Sequence, residues 1–347
     1  MKVGIVNQFT PPDDAPTAVL AGELAAYLEG EGHEVHLISC GSGYRQRRSF
    51  KGSRIISELC AHLRLLWKCL RFRKADVLLA LSSPACLPAT VSLAARLKRC
   101  RFAHWAMDVY PEVAVALDEI PRGGLLHRMT AAMMRKAYRR ADPLVALTPT
   151  MAKAIGEPAE ICPPWPPGGL QWPVASDSRP ATFTWLYSGN LGRAHLHRPL
   201  LMAQKKLEER GIPAELVFQG RGHLIAEAKK FANELSLRRC TFRDYVPKED
   251  LLRSLFDANV LVATQNPATD GLLWPSKLAV IRHVPRPLLW VGDSDPSIDA
   301  SAFAPDDIDG IAAWIENQVS QPSKFEYSPP EPPQQALQHW NQWLIRT

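Results

Sequence analysis

Two short segments carry the residue types that hold an anion: Pro275-Ser276-Lys277-Leu278, and the glycine-bearing turn Ser188-Gly189-Asn190-Leu191-Gly192-Arg193. A proline ahead of Ser-Lys presets a helix start, with Ser276 placed to cap it and Lys277 in its first turn. A lysine there opposes the helix dipole, an arrangement that a bound diphosphate turns from unfavourable to favourable. The plainer reading is a surface lysine lying over Trp274. Glycine in the 188–193 turn lets the backbone approach a ligand closely, and Arg193 adds a fork of donors suited to phosphate oxygens. Its plainer reading is a tight strand-to-helix turn with an exposed arginine. Phe218-Gln219-Gly220-Arg221-Gly222 repeats the glycine turn one unit later and supports a nucleotide site without identifying one.

The other candidate chemistry is thinner. His195 stands beside the first turn, where it could donate to a phosphate or a sugar hydroxyl; His104 and His197 suit structural or solvent-exposed roles. No HxxxH or HExxH spacing occurs, so no metal site is expected. The seven cysteines (40, 60, 69, 86, 100, 162 and 240) never form a CxxC pair, which argues against a zinc knuckle or a disulfide framework.

The elements that must position these residues alternate. Lys2–Asn7 and Val35–Ser39 read as strands flanking a helix at Thr17–Glu31, a βαβ unit that requires a parallel sheet. Strands at Ala75–Ala80, Arg101–Ala106 and Leu144–Leu147 continue it, with helices at 87–99 and 123–140. The pattern breaks at Cys162-Pro-Pro-Trp-Pro-Pro-Gly-Gly169 and restarts at Phe183–Tyr187. Further strands follow at Ala214–Phe218, Cys240–Phe242, Val260–Ala263 and Pro287–Val291, alternating with helices at 196–210, 223–236, Lys248–Asp257, 276–283 and 307–319. The expected fold is therefore α/β: two Rossmann-like, doubly wound parallel-sheet domains facing across a cleft, where ligands of such sheets gather. The boundaries read as 1–165, 166–330 and a C-terminal helix at 331–347.

Length and composition agree. The 347 residues are too many for one ordinary core, and 46% hydrophobic with 22% charged residues is the make-up of a water-soluble globular chain. No apolar run is long enough to cross a bilayer and Met1–Val6 reads as a buried strand rather than a signal peptide, so a cytoplasmic protein is expected. The net charge of +6 is local: ten Lys/Arg lie between Arg45 and Lys74, opposed by Glu58 alone. There, basic residues alternate with Leu59, Leu63, Leu66, Trp67, Leu70 and Phe72, a pattern that adsorbs to anionic membranes. The plainer reading is a helix whose apolar face packs on the sheet and whose basic face is solvated. No nucleic-acid motif accompanies the patch, so nucleic acid is not an expected partner.

Taken in order, these segments resemble the family 4 glycosyltransferases of the GT-B fold, and within them the bacterial branch that builds exopolysaccharide, colanic acid and O-antigen. The resemblance rests on Gln8–Asp13 with Ala15–Ala18, Gly32-His-Glu-Val35, Asp108-Val-Tyr-Pro-Glu112, Leu147–Met151, Pro163-Pro-Trp165, the Tyr187–Gly192 turn, Val246–Glu249 and Pro275–Leu278. It implies a metal-independent, retaining transferase with no cofactor beyond its donor substrate, a UDP- or GDP-sugar, and a glycan or lipid-linked acceptor. It places the enzyme in polysaccharide synthesis, peripheral on the inner face of the plasma membrane.

By the same resemblance Asp108, Glu112, Arg193 and Lys277 are the catalytic set, with Arg193 and Lys277 neutralising the leaving diphosphate. Ser188, Gly189, Asn190, Gly192, Gly220, Tyr245, Val246, Ser276 and Leu278 bind the donor, and Asp13, Asp14 and Thr17 receive the acceptor. The chain departs from the family where a ribose-holding glutamate is usual, which here is Val280, and in a loop shortened to Gly292–Pro296. Those departures keep open a second expectation: a catalytically degenerate subunit that binds a glycan, a lipid or a partner enzyme. A sugar-nucleotide epimerase on the same fold is a third.

The C-terminal stretch Ala336–Leu344 has helical spacing, and its two tryptophans are expected to anchor packing on the first domain.

Overall fold

The computed structural model describes residues 1–13, 15–40, 51–173, 182–292, 299–323 and 327–346, with the backbone alone at 51–55. Asp14, the basic residues 45–50 and the loop beyond Gly292 lie outside the described residues. The chain divides into two compact units: Met1–Gly168 with Gly271–Trp274 and Glu331–Thr347, and Gly169–Asp270 with Pro275–Pro330.

The first unit runs β1 (Lys2–Val6), α1 (Pro16–Gly30), β2 (Glu34–Ile38), α2 (Lys51–Arg71), β3 (Val77–Ala80), α3 (Leu87–Lys98), β4 (Arg101–Ala106), α4 (Glu112–Ala116), α5 (Leu125–Tyr138), β5 (Leu144–Ala146), α6 (Pro149–Ile155) and β6 (Glu160–Ile161). Its strands form one parallel sheet in the order β2-β1-β3-β4-β5-β6. The inner strands are apolar on both faces because helices cover both, as parallel sheets require; Val77–Ala80 is wholly buried. Val91, Ala94 and Ala95 of α3 meet Leu65 and Cys69 of α2 and Ala137 of α5 in one core cluster.

The second unit continues with β7 (Phe183–Ser188), α7 (Arg198–Glu209), β8 (Ala214–Gln219), α8 (Ile225–Glu234), β9 (Cys240–Arg243), α9 (Leu251–Phe256), β10 (Val260–Thr264), α10 (Leu278–Ile281), β11 (Leu288–Val291), β12 (Ser301–Phe303) and α11 (Ile308–Ser320). Its parallel sheet has the order β12-β11-β10-β7-β8-β9. α11 packs on α7, and both bury aliphatic residues against Trp185, Leu216 and Phe218.

The last helix, α12 (Gln334–Ile345), packs on α1 within the first unit. Trp340 is fully buried there, its ring centre 5.0 Å from that of Trp105, which lies 5.3 Å from Trp165. The Trp165 indole donates to Glu23 of α1 at 2.6 Å. The tryptophans are packing anchors.

Two local expectations need correcting. The helix expected at 276–283 is the four-residue α10, and its cap position is Lys277 rather than Ser276, whose side chain caps nothing. Pro287 and Pro285 follow closely and prevent the helix from running on. The helix expected at 248–257 is a 3₁₀ turn, Lys248–Asp250, before α9. In α2, the stripe that enters the core is Ala61, Leu65 and Cys69, leaving Leu59, Leu63, Trp67 and Leu70 exposed.

Candidate functional site

The candidate anion site is built on the second unit, at the point where its strand order reverses. β7 has β8 on one side and β10 on the other, the kind of junction where ligands of doubly wound sheets bind. β7 ends at Ser188, and Gly189 takes φ +130°, a conformation open to glycine and strained for other residues. Its N–H donates to the Gln219 carbonyl at 2.8 Å, so the first turn is tied to the second. Gly220 in the second turn has φ +140°, and a Cβ there would stand within 2.2 Å of the Gly189 carbonyl oxygen and 3.1 Å of the Tyr245 ring. The three turns that follow β7, β8 and β9 thus interlock through glycine, with the half-exposed Tyr245 over the middle one.

Side chains fasten the same turns from beneath. The fully buried Gln219 amide donates to the Ser188 hydroxyl at 3.1 Å, while its carbonyl accepts from Ser254 at 2.6 Å. Arg221 and Asp244 pair through two guanidinium nitrogens, at 2.6 and 2.7 Å, and Asp244 also accepts the Tyr245 N–H at 2.7 Å. This braces the turn holding Tyr245 and Val246.

Lys277 is brought against this framework. A Cβ on Gly189 would meet its Cε at 3.3 Å and its Nζ at 3.5 Å, so glycine is what admits the lysine. The Nζ lies 3.4 Å from the centre of the Tyr187 ring, is shut off from solvent, and has no hydrogen-bond partner among the described residues. Burial holds its pKa well below the usual lysine range. The negative face of the tyrosine ring offsets part of that cost but supplies no counter-charge. Tyr187 is itself fixed, its hydroxyl donating to the Asn190 carbonyl at 3.0 Å.

His195 sits beside them. Its Nδ1–H donates to the Thr264 carbonyl at 2.6 Å, across the β7–β10 junction. Burial, then the charge of Lys277, hold its pKa down at about 3. The ring is therefore neutral with Nε2 as an acceptor, which corrects the expectation that His195 donates to phosphate. Arg193 and Ser276 are exposed, Asn190 is exposed on the turn, Gly192 ends it, and Leu278 is buried in α10. Val280 is buried as well, so an aliphatic side chain occupies the place of the expected ribose-holding carboxylate.

The first unit repeats the architecture at its own reversal point, between β1 and β3. Gln8 N–H donates to the Ser83 carbonyl at 2.7 Å and the Ser83 hydroxyl donates to Gln8 at 3.0 Å. Buried Asn7 donates to the Phe9 carbonyl at 2.8 Å and to the Thr17 hydroxyl at 3.0 Å; Asp13 accepts the Ala15 N–H at 3.2 Å. Thr17 and Asp13 thus shape the entry to α1, while Asp14 lies outside the described residues.

Asp108 follows β4, where the Ser82 hydroxyl accepts the N–H groups of Met107 (2.8 Å) and Asp108 (3.2 Å). Its backbone bridges Leu273, and Val109 N–H donates to the Leu272 carbonyl at 2.7 Å. Burial pushes the Asp108 carboxyl up to about 6. Glu112 opens α4; burial, and after it the Glu112 charge, raise the Cys86 thiol to about 12. His104 is a core residue, its Nδ1–H donating to the Ala80 carbonyl at 2.9 Å, and burial lowers its pKa to about 4.

Sequence reasoning missed Tyr187 as the seat of Lys277, Gln219 and Ser254 as supports, and the joining of Gly271–Trp274 to the first unit. Gln219 could have been found, since a polar residue ending a buried strand needs a partner.

Residues 17–164 match the sequence model of the Glycosyl transferase 4-like domain. Among curated proteins, none matches the chain by sequence. Similar solved structures include a lipopolysaccharide outer core galactosyltransferase, WaaB, in apo form (13% identity, 99% of each chain covered, TM-score 0.62). Sucrose-phosphate synthase from Thermosynechococcus elongatus is similar at 12% identity over 99% of this chain and 96% of its own, with a TM-score of 0.69. HepE from Anabaena, solved in complex with UDP, is similar at 12% identity over 94% of this chain and 92% of its own, with a TM-score of 0.61. Two parallel six-stranded sheets with flanking helices, matched over nearly the whole length by these structures, give the chain the fold of the GT-B glycosyltransferases.

Proposed function

We propose that this chain is a glycosyltransferase that moves a sugar from a nucleotide-diphosphate sugar to a hydroxyl of a glycan or lipid-linked acceptor, with retention and without a metal, in cell-surface polysaccharide synthesis. The observation that carries the reading is the Lys277 amine: buried, without a hydrogen-bond partner among the described residues, and set against a glycine turn at a sheet reversal. An uncompensated buried cation is costly, and an arriving diphosphate supplies the missing charge and acceptors. With the anion bound, Lys277 regains its proton affinity and stabilises the negative charge that grows on the departing diphosphate. Arg193 adds a second cation from the solvent side of the turn. The backbone near Tyr245–Val246 receives the base, and Ser188, Gly189, Gly192 and Gly220 line the phosphates. Asp13, Thr17, Asp108 and Glu112 serve the acceptor, and the basic 45–74 segment meets the membrane that carries it.

UDP bound to the Anabaena protein of the same fold makes uridine the first base to try. The test is a panel of UDP- and GDP-sugars with and without lipid-linked glycan. Lys277→Ala and Arg193→Ala are expected to cut turnover by about 10²–10³-fold with an unchanged circular dichroism spectrum. Full activity in both variants refutes the phosphate assignment. A second reading, a degenerate subunit, is favoured by the buried Val280 alone; it expects no nucleotide to bind at all.

A further inference from the structure

Helices α2, α3 and α5 share one layer of the first unit. α3 packs against both of the others, and each helix sends one stripe into the same core cluster. Each also carries a second apolar stripe that stands exposed among the described residues. On α2 the stripe is Leu59, Leu63, Trp67 and Leu70, and on α3 it is Leu93 and Leu97. On α5, Leu125, Met129 and Met133 follow at four-residue spacing; Leu125 is 76% exposed and its neighbour Leu126 57%.

Cations stand among these apolar residues on the same outward faces. Arg64, Lys68 and Arg71 are exposed on α2, and Arg128, Arg135 and Lys136 on α5. The Arg71 guanidinium lies over the Trp67 ring at 4.7 Å. By sequence α2 has five Lys/Arg, α3 two and α5 three, and Glu58 is the acid of all three helices.

We propose that this three-helix face docks on a bilayer surface bearing anionic phospholipid, with α5 entering the interface alongside α2. Leucine, methionine and tryptophan side chains would sit among the acyl chains near the headgroups while the surrounding cations meet lipid phosphates. The charge decides between occupants. A second copy of the same face brings like charges together, whereas an anionic bilayer complements the whole layer. The inference rests on the membrane reading of the 45–74 segment and extends it to α3 and α5; it is independent of the transfer chemistry.

The test is co-sedimentation of the full chain with vesicles of phosphatidylcholine alone and of phosphatidylcholine with about 30% phosphatidylglycerol. Binding is expected only with the anionic lipid. The double variants Leu125→Glu/Met129→Glu on α5 and Leu63→Glu/Trp67→Glu on α2 are each expected to lower it roughly tenfold or more. All four positions are exposed, so the melting temperature should hold, and nucleotide calorimetry on both variants should match the parent. Parent-like binding by the α5 variant removes α5 from the surface while leaving the α2 reading in place. Failure of the parent chain to bind anionic vesicles removes both. A concentration-dependent dimer abolished by the same variants makes a second copy the occupant and overturns the proposal.

Discussion

The Nζ of Lys277 lies 3.4 Å from the centre of the Tyr187 ring and has no hydrogen-bond partner among the described residues. A sheet strand, a glycine turn and a four-residue helix combine to keep one amine out of water against the face of an aromatic ring. The unliganded protein bears the cost of that arrangement, and the proposed function uses it.

Lys277→Met should therefore not destabilise the fold. At pH 7 the variant is expected to be as stable as the parent or up to about 2 kcal/mol more so, because a buried amine that is costly to protonate is replaced by a similar apolar volume. The sign with pH is definite. The folded lysine's pKa is depressed, so between that value and its ordinary one the unfolded chain binds more protons. The parent should gain stability relative to the variant as pH rises through that window. Urea titrations at pH 7 and 9.5 check it, and a large loss in the variant at both contradicts the reading.

Asp108 behaves in the opposite sense. Its carboxyl titrates near 6 in the fold against 3.8 ordinarily, so between those values the folded chain binds more protons and stability falls as pH rises. Asp108→Asn removes that loss. The variant should match the parent near pH 3.8 and exceed it by about 2–3 kcal/mol above pH 6. Denaturant midpoints of both proteins across that range measure it; a constant difference rules out the raised carboxyl.

Gly220 and Gly192 separate two uses of glycine. Gly220→Ala forces a Cβ onto the Gly189 carbonyl at a φ of +140°, so a loss of about 2 kcal/mol or more is expected, with the nucleotide site disrupted. At Gly192 φ is not positive, and a Cβ meets only the Asn190 amide at 3.2 Å. Gly192→Ala should change stability by less than about 1 kcal/mol. Equal effects from the two contradict the interlocked-turn description.

Trp340→Ala should cost about 3–5 kcal/mol, because the ring is fully buried against Trp105. Its effect belongs to the first unit, so nucleotide affinity measured well below the melting temperature should be unchanged. A variant that melts like the parent removes α12 from the core.

Most of the scaffold is legible in the sequence because its signals are local and repetitive. Apolar strands, helical periodicity and glycine breaks alternate twice around a proline-rich join, and both parallel sheets follow. Where Pro285 and Pro287 crowd a helix end, periodicity overran the true length of α10. Lys277 was legible as a candidate anion ligand, but for a reason the structure replaces. A dipole argument needs a longer helix than Leu278–Ile281, and the burial of Nζ against Tyr187 carries the case instead. That contact joins residues ninety positions apart, as the Gln219–Ser254 bond joins two from different units of the alternation, and no spacing rule reports either. His195 shows the same limit, since its role as acceptor depends on a carbonyl of β10. The exposed stripe on α2 was visible as amphipathic, yet which of its two apolar stripes enters the core is decided by α3.

The most direct test is calorimetric titration of UDP, and separately GDP, into the parent chain and Lys277→Met. One nucleotide should bind the parent and bind the variant roughly a hundredfold more weakly, the loss expected when a buried charge-assisted contact to a diphosphate is removed. Equal binding by the two proteins, or no binding of either nucleotide to the parent, contradicts the assignment of Lys277 to a donor diphosphate.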